Sequence, residues 1–93
     1  MKYRLVISSA ASKDVDRLEA WLLDKDPGAA IEVGEVLERA IASLNELPER
    51  GRPVASDTRE LDVKFGRGRY VVRYRVSERQ VVVTRIFHGR ERR

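Results

Sequence analysis

A chain of 93 residues, 42% hydrophobic and 37% charged with a net charge of +4, has the size and balance of one soluble domain, 1–93, around a modest core. The absence of cysteine excludes disulfides and thiolate metal sites, and a single histidine among scattered carboxylates leaves no ligand set for zinc, so neither metal nor cofactor is expected. The opening residues lack the apolar run of a signal peptide, and no stretch approaches the roughly 20 apolar residues that span a bilayer, so a cytoplasmic protein without membrane contact is expected.

In chain order, Lys2 to Ile7 is β-branched and partly alternating, with Tyr3, Leu5 and Ile7 on one face, and reads as a strand. Ser9 or Ser12 is placed to cap the helix that follows, with Asp14 and Asp16 in its first turn near the positive end of the dipole. Apolar residues at Ala11, Val15, Leu18 and Leu22 recur at helical spacing, with Trp21 beside them, where it would seal the helices against a sheet. Asp26-Pro27-Gly28 breaks this helix. A second helix carries the stripe Val33, Leu37, Ala40, Leu44 and Leu47, widened by Val36 and Ile41, and Pro48 closes it. Two amphipathic helices joined by a tight break form an antiparallel hairpin.

Glu49 to Thr58, rich in Gly, Pro, Ser and Asp, reads as a connection. Three strands follow: Glu60 to Phe65, Arg69 to Val76, and Gln80 to Phe87, joined by turns at Gly66-Arg67-Gly68 and Ser77-Glu78-Arg79. The order is βααβββ, an α+β fold with the helical hairpin on one face of a mainly antiparallel four-stranded sheet.

In the middle of these three strands, a period of two puts Tyr70, Val72, Tyr74 and Val76 on one face, under the helices, and Arg69, Val71, Arg73 and Arg75 on the other. Unpaired guanidinium groups are too costly to bury, so the second face is open. For the last strand, a three-residue turn places Val82, Thr84 and Ile86 in the core and Arg85 outside; a two-residue turn reverses this. The first is preferred because it keeps Arg85 out of the core. Charge is unevenly spread. Residues 1–58 hold eight Lys and Arg against eleven Asp and Glu, whereas residues 59–93 hold eleven against four. The last third therefore suits an anionic or acidic and apolar partner, and Arg69, Arg73, Arg75, Arg85, Phe87 and Arg90 are the candidate contacts.

The βααβββ order, the segment RELDVKFGRGRYVVRYRV and the ending VVVTRIFHGRERR together resemble the RelE/ParE superfamily of bacterial toxins. The most specific parts are the pattern of Gly68, Tyr70, Val71, Val72, Tyr74 and Arg75, and the ending of Arg85, His88, Gly89 and Arg90. The resemblance implies the toxin of a type II toxin–antitoxin pair. Its partner would be a ParD-like antitoxin, a small DNA-binding protein with a flexible C-terminal tail, and operator DNA would be met only through that antitoxin. RelE-like members cut messenger RNA on the ribosome; ParE-like members are not nucleases and poison DNA gyrase.

Cleavage by attack of a 2′-hydroxyl needs a proton acceptor, cations for the charged phosphorane and a proton donor. Of the RelE-like parts, Lys64 matches one lysine, but Asp62 stands where its companion would be, and Val71 follows Tyr70 in place of arginine. Arg90 matches the late arginine, yet no tyrosine follows it and the usual C-terminal helix is absent. A second nuclease pattern pairs a glutamate base with His-Tyr; His88 is present, Gly89 replaces the tyrosine, and Glu60 is a possible base. No catalytic residue is therefore assigned, with His88, Arg90 and Lys64 as the set for the nuclease alternative. The departures favour the ParE branch, with gyrase as target; the ribosome and messenger RNA, or a degenerate member that only binds antitoxin, are the alternatives.

Overall fold

In the computed structural model, which describes residues 2–91, the chain runs β1 (Arg4–Ile7), α1 (Ser9–Lys25), α2 (Pro27–Ser43), β2 (Arg52–Pro53), β3 (Thr58–Phe65), β4 (Gly68–Val76) and β5 (Gln80–His88). Arg92 and Arg93, the end of the basic tail, lie outside the described residues. The strands form one sheet in the order β1-β5-β4-β3-β2. β1 runs parallel to β5, from Arg4 opposite Gln80 to Ile7 opposite Val83, and the other pairs are antiparallel. The expected α+β arrangement is present with one more strand than expected. β2 lies in the segment read as a connection, where Arg52 and Pro53 pair with Glu60 and Arg59. Two residues, one a proline without an N–H, leave no strand periodicity to read.

Ser8 caps α1, its Oγ accepting from the Ala11 N–H at 3.0 Å, so neither Ser9 nor Ser12 does so. That shift moves Asp14 and Asp16 beyond the first turn. Asp26 serves both helices: its N–H donates to the Leu22 carbonyl and its side chain accepts from the Ala29 N–H, with Pro27 next in line where no N–H is missed. A single residue thus joins the hairpin. α1 lies over β5 and α2 over β3. Ala11 and Leu18 of α1, Val33, Leu37 and Ile41 of α2, and Leu44 meet Leu61, Val63, Tyr70, Val72, Tyr74, Val81, Val83 and Ile86 of the sheet. Three expected core residues stay in water. α2 ends at Ser43, so the turns after it carry Leu47 off the stripe, and Leu47 is 58% exposed; Ile7 and Trp21 are 50% and 57% exposed. Trp21 does not seal the sheet but stacks its ring under Lys25, whose Nζ is 5.2 Å from the ring centre.

β5 departs from both registers considered from sequence. Ser77 and Gln80 exchange backbone hydrogen bonds around a two-residue turn, which puts Val81 and Val83 in the core in place of Val82 and Thr84. A bulge then shifts the register: Arg73 faces Arg85 while Tyr74 faces Val83, leaving Thr84 over, its hydroxyl donating to the Arg73 carbonyl at 3.2 Å. Beyond the bulge Ile86 returns to the core, fully buried, and Arg85 lies outside. At the other hairpin Phe65 pairs with Gly68, and Gly66 takes φ 59 while Arg67 keeps a negative φ. A left-handed first residue is the pattern of a type II′ turn, and glycine supplies it without strain.

Candidate functional site

The sheet face away from the helices is a ladder of arginines and carboxylates. Glu60, 6% exposed, accepts from Arg52 at 3.0 Å and from Arg73 at 2.8–2.9 Å. Arg52 also holds Asp62 at 3.1 Å, which Arg69 approaches at 3.5 Å. Arg75 is 3.9 Å from Asp57 and largely in solvent. Phe87 lies between two guanidinium groups, with Arg73 and Arg85 centred 5.3 and 5.0 Å from its ring. Val71 is fully buried beside it and Phe87 is only 5% exposed. Arginine side chains cover apolar surface while their heads stay wet, which is how a face both cationic and apolar is left to water without a partner. Reaching Phe87 requires moving Arg73 or Arg85.

Asp14 anchors the far side of this ladder, where β1 has ended and the outer edge of β5 is uncovered. Its Oδ2 accepts from the Ile86 N–H and from Arg85 Nε, each at 2.8 Å, and its Oδ1 accepts from Arg85 and Arg17 at 3.1 Å. Burial alone would raise this carboxyl, but the bonds from Arg85, the Ile86 N–H and Arg17 outweigh it and hold the carboxyl below its ordinary value. The bonds from Arg85 to Asp14, reinforced by the charge of Asp14, raise Arg85. Ser8 Oγ donates to the Thr84 carbonyl, and the Glu91 carboxylate takes the His88 N–H and pairs with Arg17. Side chains thus occupy the β5 edge that a further strand would need.

At the end of the sheet, where the β3–β4 turn meets the end of β5, a cleft of about 450 Å³ brings together Lys64, Arg67, Arg69, His88 and Arg90, with Asp62 at its margin. The three residues of the nuclease alternative therefore share one site. His88 Nδ1 accepts from the Arg90 N–H at 3.1 Å. In the neutral ring this assigns the remaining proton to Nε2, which is then a donor and not a base. On the helix side a larger groove of about 690 Å³ lies against the cleft, lined by Leu18, Trp21 and Tyr70 and sharing Arg67, His88 and Arg90 with it. Tyr70 is 3% exposed and meets His88 edge-on at 5.2 Å; burial, and then the charge of Glu91, raise its hydroxyl. Tyr74 is also committed, donating to the Pro48 carbonyl at 2.7 Å and accepting from the Gly51 N–H at 2.8 Å.

Of the residues singled out from sequence, Arg69, His88, Arg90 and Lys64 gather at the cleft, whereas Arg73, Arg75, Arg85 and Phe87 belong to the ladder. Sequence reasoning missed Asp14, which at helical spacing looks like any surface aspartate, and Arg67, hidden in a turn. Glu60, weighed as a base, is held by two arginines.

Residues 5–93 match the family of the ParE toxin of the parDE type II toxin–antitoxin system. The chain is 46% identical over 93 residues to Toxin RelE1 of Caulobacter vibrioides, covering all of both chains, and 37% identical over 83 residues to Toxin RelE3 of the same organism, covering 89% of this chain and 90% of that one. Among solved structures it superposes on a chain of the chromosomal ParDE system from P. aeruginosa with a TM-score of 0.79 at 16% identity, covering 94% and 96% of the two chains. A chain of the RelBE2 complex from Mycobacterium tuberculosis gives 0.60 at 21% identity, covering 95% and 99%. The chain belongs to the ParE toxin family of type II toxin–antitoxin systems, within the ParE/RelE superfamily.

Proposed function

We propose that this toxin acts by binding DNA gyrase, without cleaving nucleic acid, and that a cognate antitoxin neutralises it. The observation that carries the reading is the lack, among the described residues, of a free proton acceptor beside the cations of the cleft. Asp62 and Glu60 are each held by two arginines, Tyr70 is buried, and His88 Nδ1 already accepts from the Arg90 N–H. Attack by a 2′-hydroxyl needs such an acceptor, whereas binding needs only the cations. The antitoxin part of the reading is supported by the solved neighbours, both from toxin–antitoxin systems.

A second reading, a ribosome-dependent endoribonuclease, is favoured by the meeting of Lys64, His88 and Arg90 in one cleft and by the relatives named RelE. Induction of the toxin without antitoxin separates the two. Arrested DNA synthesis with induced breaks, while translation continues, supports gyrase. Early loss of translation with cut messages supports the ribosome. Growth without arrest would leave a protein that only binds antitoxin.

A further inference from the structure

We infer that the cleft at the end of the sheet, with the adjoining groove, binds a single strand of DNA by its phosphodiester backbone. The inference rests on the gyrase reading in one respect, the choice of DNA as the source of the strand. Lys64, Arg67 and Arg90 are exposed and make no salt bridge among the described residues, whereas the arginines of the ladder each face a carboxylate. These three come from β3, the β3–β4 turn and the segment after β5, so they surround the cleft from three sides. Asp62, the carboxylate lining it, is engaged by Arg52 and Arg69.

Gly66, Gly68 and Gly89 line the cleft without side chains of their own, and Gly89 lets Arg69 pack against the chain after β5, where a Cβ would stand 2.8 Å from Arg69 Nη1. The cleft itself is lined by polar side chains and glycine, with several donors for phosphate oxygens, and the apolar side chains Leu18, Trp21 and Tyr70 stand in the adjoining groove. Across Arg67, His88 and Arg90 lies the groove with the exposed ring of Trp21, one face of which is under Lys25, and with Glu91, which is paired with Arg17. A cationic track beside an open aromatic ring is the arrangement that holds single strands, phosphates on the cations and a base on the ring.

Trp21 is the only tryptophan, so its fluorescence reports occupancy directly. The probe is a 20-nucleotide DNA single strand, with the matching RNA strand and a glutamate-rich peptide as comparisons. DNA is expected to quench Trp21. With three phosphate contacts, log affinity should fall with log salt at a slope of about −2, a loss of roughly 15- to 20-fold between 50 and 200 mM. Lys64→Ala with Arg67→Ala and Arg90→Ala should abolish the quench and flatten the slope. Each single change should weaken binding severalfold, which keeps a readout if the triple variant unfolds. Arg39→Ala, which removes a charge on α2, should change nothing. Absence of quenching at 50 mM salt, binding unaltered in the triple variant, tighter binding of the peptide, or a preference for RNA over DNA would each overturn the inference. Gyrase inhibition by the wild type is scored separately. If the triple variant inhibits as well as the wild type, the cleft is not the DNA site although the gyrase reading stands. If the wild type binds DNA but leaves gyrase active, the strand site stands and the gyrase reading falls.

Discussion

Asp14 ties α1 to the edge of β5, because one buried carboxylate satisfies the Ile86 N–H, Arg85 and Arg17 together. Asp14→Ala leaves that N–H without an acceptor and should destabilise by about 1–3 kcal/mol in denaturant unfolding. The carboxyl also gives stability a pH dependence. Its folded value is lowered, so its contribution is complete above the unfolded value near 3.9 and is lost as pH falls through the lower folded value. The wild type should therefore lose melting temperature below about pH 4 in part through this group. Asp14→Asn, with nothing to titrate there, should show a smaller drop in melts across the same interval. Tyr74 is the other residue with two duties. Its ring is fully buried and its hydroxyl pins Pro48 and Gly51, so Tyr74→Ala should cost roughly 3–5 kcal/mol and Tyr74→Phe about 1–3 kcal/mol.

At the scale of elements, the bulge at Thr84 decides what β5 buries. It lets Val83 and Ile86 both enter the core while Arg85 stays outside, which strict alternation forbids. Deleting Thr84 would leave one unbroken alternation with the same residues inside, Val81, Val83 and Ile86, and with Arg85 outside, but without the bonds that Thr84 makes to Ser8 and Arg73. The shortened chain should therefore keep a cooperative melt and a dispersed amide spectrum, with a lowered melting temperature; loss of both would mean that the register of β5 is not the one described. This is also where the sequence stopped being legible. The stripes of α1 and α2 and the alternation of β4 could be read because one period holds along each element. β5 changes period in the middle, and no residue type marks the change, since threonine suits a strand as well as a bulge. The gathering of Lys64, Arg67 and Arg90 was illegible for another reason. Lys64 and Arg67 are close in sequence, but Arg90 is distant and meets them only because the sheet order brings the end of β5 beside the β3–β4 turn.

Across the whole molecule, an excess of positive charge in the last third is visible in the sequence, but its distribution is set by the fold. Much of it is matched by Glu60, Asp62, Asp57 and Asp14; of the rest, Lys64, Arg67 and Arg90 meet at one end of the sheet, while Arg59 and Arg79 lie toward the other. Charge reversal separates the buried pair of the ladder from the solvent-exposed one. Arg73→Glu sets a carboxylate against the buried Glu60 and should lower the melting temperature, whereas Arg75→Glu, in solvent, should leave it unchanged. Equal losses from both would mean that the ladder does not stabilise the sheet. The central claim, that this toxin binds gyrase and does not cut RNA, is met most directly by a supercoiling assay with purified gyrase and antitoxin-free toxin, with trapped cleavage complexes resolved on the same gel. Inhibition or trapped breaks, lost in the Lys64, Arg67 and Arg90 variant, is the expected result. Full gyrase activity in the presence of folded toxin, together with messenger RNA cut in a translating extract, would contradict it.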